Sequence, residues 1–313
     1  MSLPSYGELP VSAGAPHWRS AWGVFESADS QLGTLNLLTA ERRLAAAALV
    51  REGLTINLDH PMDVPLSIFA FRKRFSHNVF EIMPGYYDET VDELAPQLSS
   101  QWDAMRHVRS PDGFYSGLRT DEDAITAGGP LGIDHAAVAG IVGRGVLLDV
   151  ERHLRDSTEP ISPNERREFS PGVLDEVAAA QGVQIREGDV LLVRFGVDTL
   201  VRAISDGRPG SEMTYDAPGL QQDAETVEWL WDKHIAAVCA DNIAVEVTPP
   251  RGPDTRIHPA LLGLLGLAMG ELFDLTELSA ACHERGRYEF LFVAKPWRLP
   301  GGLGSPANAM AIL

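Results

Sequence analysis

Gln101, Asp103 and His107 form the densest group of side chains able to do chemistry in this 313-residue chain. In an extended segment, residues two apart point to the same side, so Gln101 and Asp103 project together. His107 lies four residues beyond Asp103, one helical turn away if the chain coils after a strand. A carboxylate, an amide oxygen and an imidazole suit Zn²⁺ or Mn²⁺ better than a metal that prefers thiolates. On a surface strand the same residues would be scattered polar groups, and spacing alone leaves both readings open.

His258 and Glu271 form a second candidate pair. On one continuous helix they would stand roughly 220° apart and could not share a site. Gly263, Gly266 and Gly270 argue against an unbroken helix. Pro259 suits a first helical position, which puts His258 at the helix start. A short helix from 259 to about 265, then a buried strand ending at Glu271, would bring both groups to one edge. Alternatively, His258 caps that helix and Glu271 caps another that starts near Asp274.

The remaining candidates are more dispersed. His135 follows Gly132-Ile133-Asp134 and is either catalytic or a plain loop residue. Asp241, Asn242 and Glu246 follow an expected strand at 235–240, and sites form at the carboxyl ends of strands in open α/β sheets. Asp-Asn serves turns equally well. Trp102 and Tyr115 either stack on a substrate or pack. There is no Gly-x-Ser-x-Gly elbow, no P-loop and no Gly-x-Gly-x-x-Gly after a strand. Metal-activated water is then the natural alternative to a nucleophilic triad.

The elements that must carry these residues alternate. Thr39 opens a helix that runs to Glu52 and stops at Gly53, and 54–59 reads as a strand. Residues 83–96 are polar and turn-rich and read as a loop or lid. Gly143-Arg144-Gly145 reads as a turn before a buried strand at 145–150, and 189–194 is a second such strand. Helices are expected at 173–181, 223–234 and 274–285, with a strand at 288–294. The class is α/β, in one domain over 1–313, with an extended N-terminal arm over about 1–20 that could reach a neighbouring subunit.

A formal net charge of −18 argues against nucleic acid or an anionic membrane as partner. Cys239 and Cys282 are too few for a disulfide framework. No apolar run is long enough to span a bilayer, and the N-terminus lacks the features of a secretory signal. A cytoplasmic protein with a small-molecule substrate is expected.

The stretch Gln97-Leu98-Ser99-Ser100-Gln101-Trp102-Asp103-Ala104-Met105-Arg106-His107 resembles the His-x-Gly-Thr-His-x-Asp-x-Pro-x-His signature of the cyclase family. That family includes kynurenine formamidase and isatin hydrolase. Asp103 and His107 match the signature, Gln97 and Gln101 replace its first two histidines, and Met105 replaces its proline. The likeness is nearest to the larger cyclase branch, in which Ser/Thr-Gln-Trp-Asp replaces the double-His segment. Gly33–Thr39, Gly145–Asp149, Gly188–Arg194, His258–Glu271 and Gly304–Asn308 extend it over nearly the whole chain.

The resemblance implies a swivelling β/β/α fold with a mixed sheet core and a homo-oligomer, dimer or tetramer. It implies divalent Zn or Mn held by Gln101, Asp103, His107 and Glu271, with His107 and His258 moving protons. The expected activity is hydrolysis of a small cyclic or aromatic amide, formamide or lactone. The alternatives are a metal-independent cyclase or dehydratase, and a non-catalytic binder on the same scaffold.

Overall fold

Buried β-branched and aliphatic runs, broken by Gly and Pro, set the strands of this computed structural model, which describes residues 3–26, 29–64, 66–118, 126–155, 157, 159–252 and 255–313. The strands are β1 (Thr55–Asn57), β2 (Ser76–Met83), β3 (Tyr86–Asp92), β4 (Gln101–Asp103), β5 (Ile141–Asp149), β6 (Glu168–Phe169) and β7 (Val190–Arg194). They continue with β8 (Gly219–Leu220), β9 (Ala237–Ala240), β10 (Ala268–Glu271), β11 (Glu289–Ala294), β12 (Gly304–Pro306) and β13 (Ala309–Ile312). Nine of them form one mixed sheet in the order β1-β13-β11-β5-β7-β9-β10-β4-β12. Strands β5, β7, β9 and β10 run parallel, and antiparallel strands flank them on both sides. The centre is apolar on both faces, as parallel strands covered by helices require. This is the α/β class with the mixed sheet core that the sequence implies.

Helices sit close to their expected places. Ala40–Ala47 is shorter than expected, with Thr39 capping the Arg42 amide. Pro171–Gln181, Ala224–Asp232 and Thr276–Arg285 match the periodic segments, and the Asp223 carboxylate caps the second of these. The N-terminal arm lies along its own chain. Tyr6, Leu9 and Trp18 are buried, Tyr6 N–H donates to Asp232, and the Trp231 indole donates to the Pro4 carbonyl.

Two expectations are corrected. The segment read as a loop over 83–96 is largely the second half of a hairpin, β2–β3, turning at Gly85. Tyr86, Tyr87, Thr90 and Val91 are good strand formers, and their β-propensity outweighs the polar composition. Gly143-Arg144-Gly145 is no turn but the interior of β5. A Cβ at Gly145 would lie 2.2 Å from the Phe290 ring on β11. Glycine is needed there for close approach, while the Arg144 guanidinium pairs with Asp189 and Glu289.

Trp102 lies at the middle of β4, with its side chain opposite to those of Gln101 and Asp103. Its indole packs edge-on against Phe273 and Phe292 and donates to the Ala307 carbonyl at 3.1 Å. Of the two roles left open for it, the structure shows packing in the core. Trp102→Phe should therefore lower stability by about 1–3 kcal/mol, through the lost hydrogen bond and the space left behind. Substrate KM should not change, and chemical denaturation alongside steady-state kinetics checks both.

Candidate metal centre

Antiparallel pairing of β4 with β10 builds the centre. Gln101 faces Glu271 and Asp103 faces Met269 across the two strands. The chain reaches β10 through a tight helical segment, Pro259–Leu265, closed by Gly266 at φ +62°. A Cβ on Gly266 would lie 2.6 Å from the Tyr115 ring, so the reversal needs glycine both sterically and conformationally. The reversal folds Glu271 back onto His258, and His258 Nε2 lies 2.9 Å from Glu271 Oε1. Ligand-type atoms of Asp103, His258 and Glu271 lie within 4.8 Å of one another, and all three residues are buried. A short helix followed by a strand, expected from the glycines, is thus what brings the pair together.

Behind His258 stands Glu246. Its Oε1 lies 2.5 Å from His258 Nδ1, and its Oε2 accepts from the Ile257 amide and from Gln222 Nε2, each at 2.8 Å. Burial opposes the imidazolium, but the two glutamates outweigh it and raise the His258 pKa well above the usual value. Burial also opposes charge on Glu246, but the His258 and Ile257 hydrogen bonds outweigh it and hold that carboxyl below the usual range. Glu271 moves the other way. Burial and then the nearby Asp103 charge raise its pKa.

The two glutamines at the motif positions act as donors. Gln97 Nε2 donates to Asp103 Oδ1, and Gln101 Nε2 donates to Glu271 Oε2. The Gln101 amide oxygen, the atom expected to bind a metal, instead accepts from Arg72 Nη1 at 3.2 Å. In this arrangement the Gln101 amide nitrogen is turned to Glu271 and its oxygen to Arg72. Arg72 also donates to the Gln97 carbonyl, and its guanidinium lies 4.3 Å over the Phe69 ring. Burial lowers its pKa, against the opposing pull of Glu271 and Asp103. His107 Nε2 lies 3.9 Å from Asp103 Oδ1, one turn on, with 28% of its side chain exposed.

A cavity of about 340 Å³ opens beside this group, lined by His107, His258 and Glu271 and by Arg72, Phe69 and Ile243. Its apolar wall comes from the segment around 68–71, with Ile243. Tyr115 is buried against Gly266, and burial raises its pKa. His135 lies on the helix Ile133–Ala139, and among the described residues no hydrogen bond or ion pair joins it to the centre. Asp241 and Asn242 serve the backbone. Asp241 accepts the Phe195, Gly196 and Asp198 amides, and Asn242 donates to the Pro218 and Glu246 carbonyls. Arg72 and Phe69 carried no sequence signal, because a lone Arg beside a turn has no spacing to read.

The family model described as "Putative cyclase" matches residues 14–247. The chain belongs to this cyclase family. A crystal structure described as that of a novel cyclase is 33% identical, with a TM-score of 0.80, over 94% of this chain and 99% of its own. Isatin hydrolase A from Ralstonia solanacearum is 18% identical, with a TM-score of 0.59, over 87% of this chain and 97% of its own. A protein from Bacillus stearothermophilus described as a predicted metal-dependent hydrolase is 15% identical, with a TM-score of 0.51, over 82% of this chain and 97% of its own. The latter two share the fold. No curated protein matches the chain.

The donors of this cyclase-family chain fit a divalent cation. Asp103 Oδ2 is buried and, among the described residues, has no hydrogen-bond partner. An ionised oxygen left bare in the interior is costly unless a cation or a donor meets it. Two carboxylates and an imidazole are a Zn²⁺- or Mn²⁺-type set. Such a cation competes with the proton on His258 Nε2, whose pKa is raised. Metal affinity should therefore rise with pH from 6 upward, by up to about tenfold per unit, and level off above the folded His258 pKa. Calorimetric titrations at several pH values read the slope.

Proposed function

We propose that this chain is a metal-dependent hydrolase of amide, formamide or lactone bonds in small cyclic or aromatic molecules. The observation that carries the reading is the bare, buried Asp103 Oδ2 beside His258 and Glu271, next to a cavity with an apolar wall. Two relatives support it by name, one described as an isatin hydrolase and one as a predicted metal-dependent hydrolase.

Asp103, His258 and Glu271 would hold the cation, with His107 beside them. When bound, it supplies Lewis acidity toward the scissile carbonyl and lowers the pKa of water. Glu246 fixes the orientation of the His258 ring through Nδ1. His107, partly exposed on the cavity wall, delivers a proton to the leaving group. Arg72 presents a half-buried positive charge to the same space and donates to the carbonyl oxygen as charge develops. Ile68, Phe69 and Ile243 exclude water and seat a ring.

The test is hydrolysis of formanilide and of a simple aromatic lactone, before and after exhaustive chelation. Activity should vanish with the metal and return with Mn²⁺ or Zn²⁺. Activity that survives chelation would favour acid–base cyclase or dehydratase chemistry by His107 and His258. Binding without turnover would favour a non-catalytic ligand binder.

The reading includes a homo-oligomer. Hairpin β2–β3 is exposed along its whole length and carries Val79, Phe80, Ile82, Met83, Tyr86 and Tyr87. A two-stranded hairpin open on both faces is marginal in water, and a second copy would cover it. Light scattering after size exclusion should return a dimer or tetramer. No helix among the described residues is long and apolar enough to cross a membrane.

A further inference from the structure

Arg256 and Tyr215 stand on the wall of the cavity that holds His107, His258 and Glu271. Arg256 Nη2 donates to Tyr215 Oη at 2.9 Å, which leaves the phenol O–H free to donate elsewhere. Both side chains are exposed. Among the described residues, no carboxylate pairs with Arg256. Its neighbours in the same region show the contrast, for Arg166 and Arg251 both pair with Glu168.

The backbone here is not a loose loop. Ile257 N–H is held by Glu246 Oε2 at 2.8 Å, so the carboxylate that orients His258 also pins the residue after Arg256. The backbone that carries Arg256 is therefore held close to the imidazole two residues on. Arg256 and Pro259 also line a second cavity of about 300 Å³, together with His17 and Trp18. Arg256 is thus shared by the two spaces.

Resting on the hydrolase reading above, we propose that Arg256, braced by Tyr215, is an anion subsite that selects substrates carrying a carboxylate. The scissile carbonyl sits at the Asp103, His258 and Glu271 end of the cavity, and the carboxylate sits on Arg256. A guanidinium presents paired N–H donors that match a carboxylate, and the Tyr215 hydroxyl adds a third donor. The net negative charge of the chain repels anions at long range, so the subsite acts by close contact and sets selectivity rather than capture rate.

The metal-loaded full chain is assayed with formanilide and with 2-, 3- and 4-formamidobenzoate, which add a carboxylate at three distances from the formamide. At least one formamidobenzoate should show a KM about tenfold or more below that of formanilide, in line with a charge-assisted hydrogen bond. Arg256→Gln should remove that preference through KM rather than kcat, Arg256→Lys should keep part of it, and Tyr215→Phe should weaken it. Binding of the same three acids to wild type and Arg256→Gln by calorimetry reads the subsite without turnover. Unchanged KM ratios and unchanged affinities in Arg256→Gln overturn the subsite. No hydrolysis of any probe, with binding that still depends on Arg256, overturns the hydrolase reading and leaves the subsite standing.

Discussion

Asp103→Asn should lose divalent-metal binding, by more than the roughly 10–100-fold that follows loss of an outer hydrogen-bond partner. The argument turns on Gln97. Its amide N–H donates to Asp103 Oδ1 and would hold the asparagine oxygen in that place. The new NH₂ group then falls where the bare Oδ2 now lies, and a donor points at the position a cation needs. The substitution conserves volume and removes one of two neighbouring buried carboxylates, so the metal-free fold should not suffer. Repulsion from Asp103 raises the Glu271 pKa, and relieving it favours the folded chain. Wild type should gain about 2.7 kcal/mol of stability at a hundredfold excess of metal over Kd, and the variant should gain nothing. Paired thermal melts with and without metal, with circular dichroism to confirm the fold, read this directly. An equal gain in the variant would remove Asp103 from the centre and the mechanism with it. The donors also set the stoichiometry. The faces of Asp103 and Glu271 turned to Gln97 and Gln101 are filled by N–H groups, and Arg72 adds charge there, so titration should end at one cation per chain.

What the sequence made legible, and what it did not, follows from the range over which each interaction acts. Strands β5, β7, β9 and β11 are readable because their apolar runs report local burial. The His258–Glu271 pairing is readable because Gly266 and Pro259 mark a break and a start within the same short stretch. Asp103 and His107 are readable as a pair because one turn separates them. The orientation of the Gln101 amide is not legible in the sequence, because Arg72 and Glu271, which set it, are remote along the chain. Trp102 was open for a similar reason. The core side of β4 is set by Phe273 and Phe292, on other elements. The hairpin at 76–92 is not legible because its residues are exposed on both faces, so it lacks the half-buried alternation that marks a strand. Glu246 stood among three polar residues after β9, and only the tertiary fold shows that it alone of the three reaches His258.

That position gives Glu246→Gln the second large effect. The carboxylate has a donor on each oxygen, His258 Nδ1 on one side and the Ile257 amide and Gln222 on the other. An amide can satisfy only one side. If its oxygen keeps the Ile257 and Gln222 donors, its NH₂ faces Nδ1 and drives the imidazole proton to Nε2, the atom turned toward Glu271. If it turns over, its NH₂ meets two donors in a buried site, at a cost of about 1–3 kcal/mol. The first arrangement removes the lone pair at Nε2, and the second presents it only against the cost of the buried donor clash, so metal affinity should fall by about 10–100-fold. A stability defect alone would not touch the second readout. With one of its two glutamates gone, His258 loses part of what raises its pKa. Its proton then leaves at lower pH, so the pH above which metal affinity levels off should move down relative to wild type. A variant that binds more weakly but keeps the wild-type pH profile would mean that Glu246 supports the fold without setting the state of the imidazole. A downward shift of the profile identifies it as the group that aims His258.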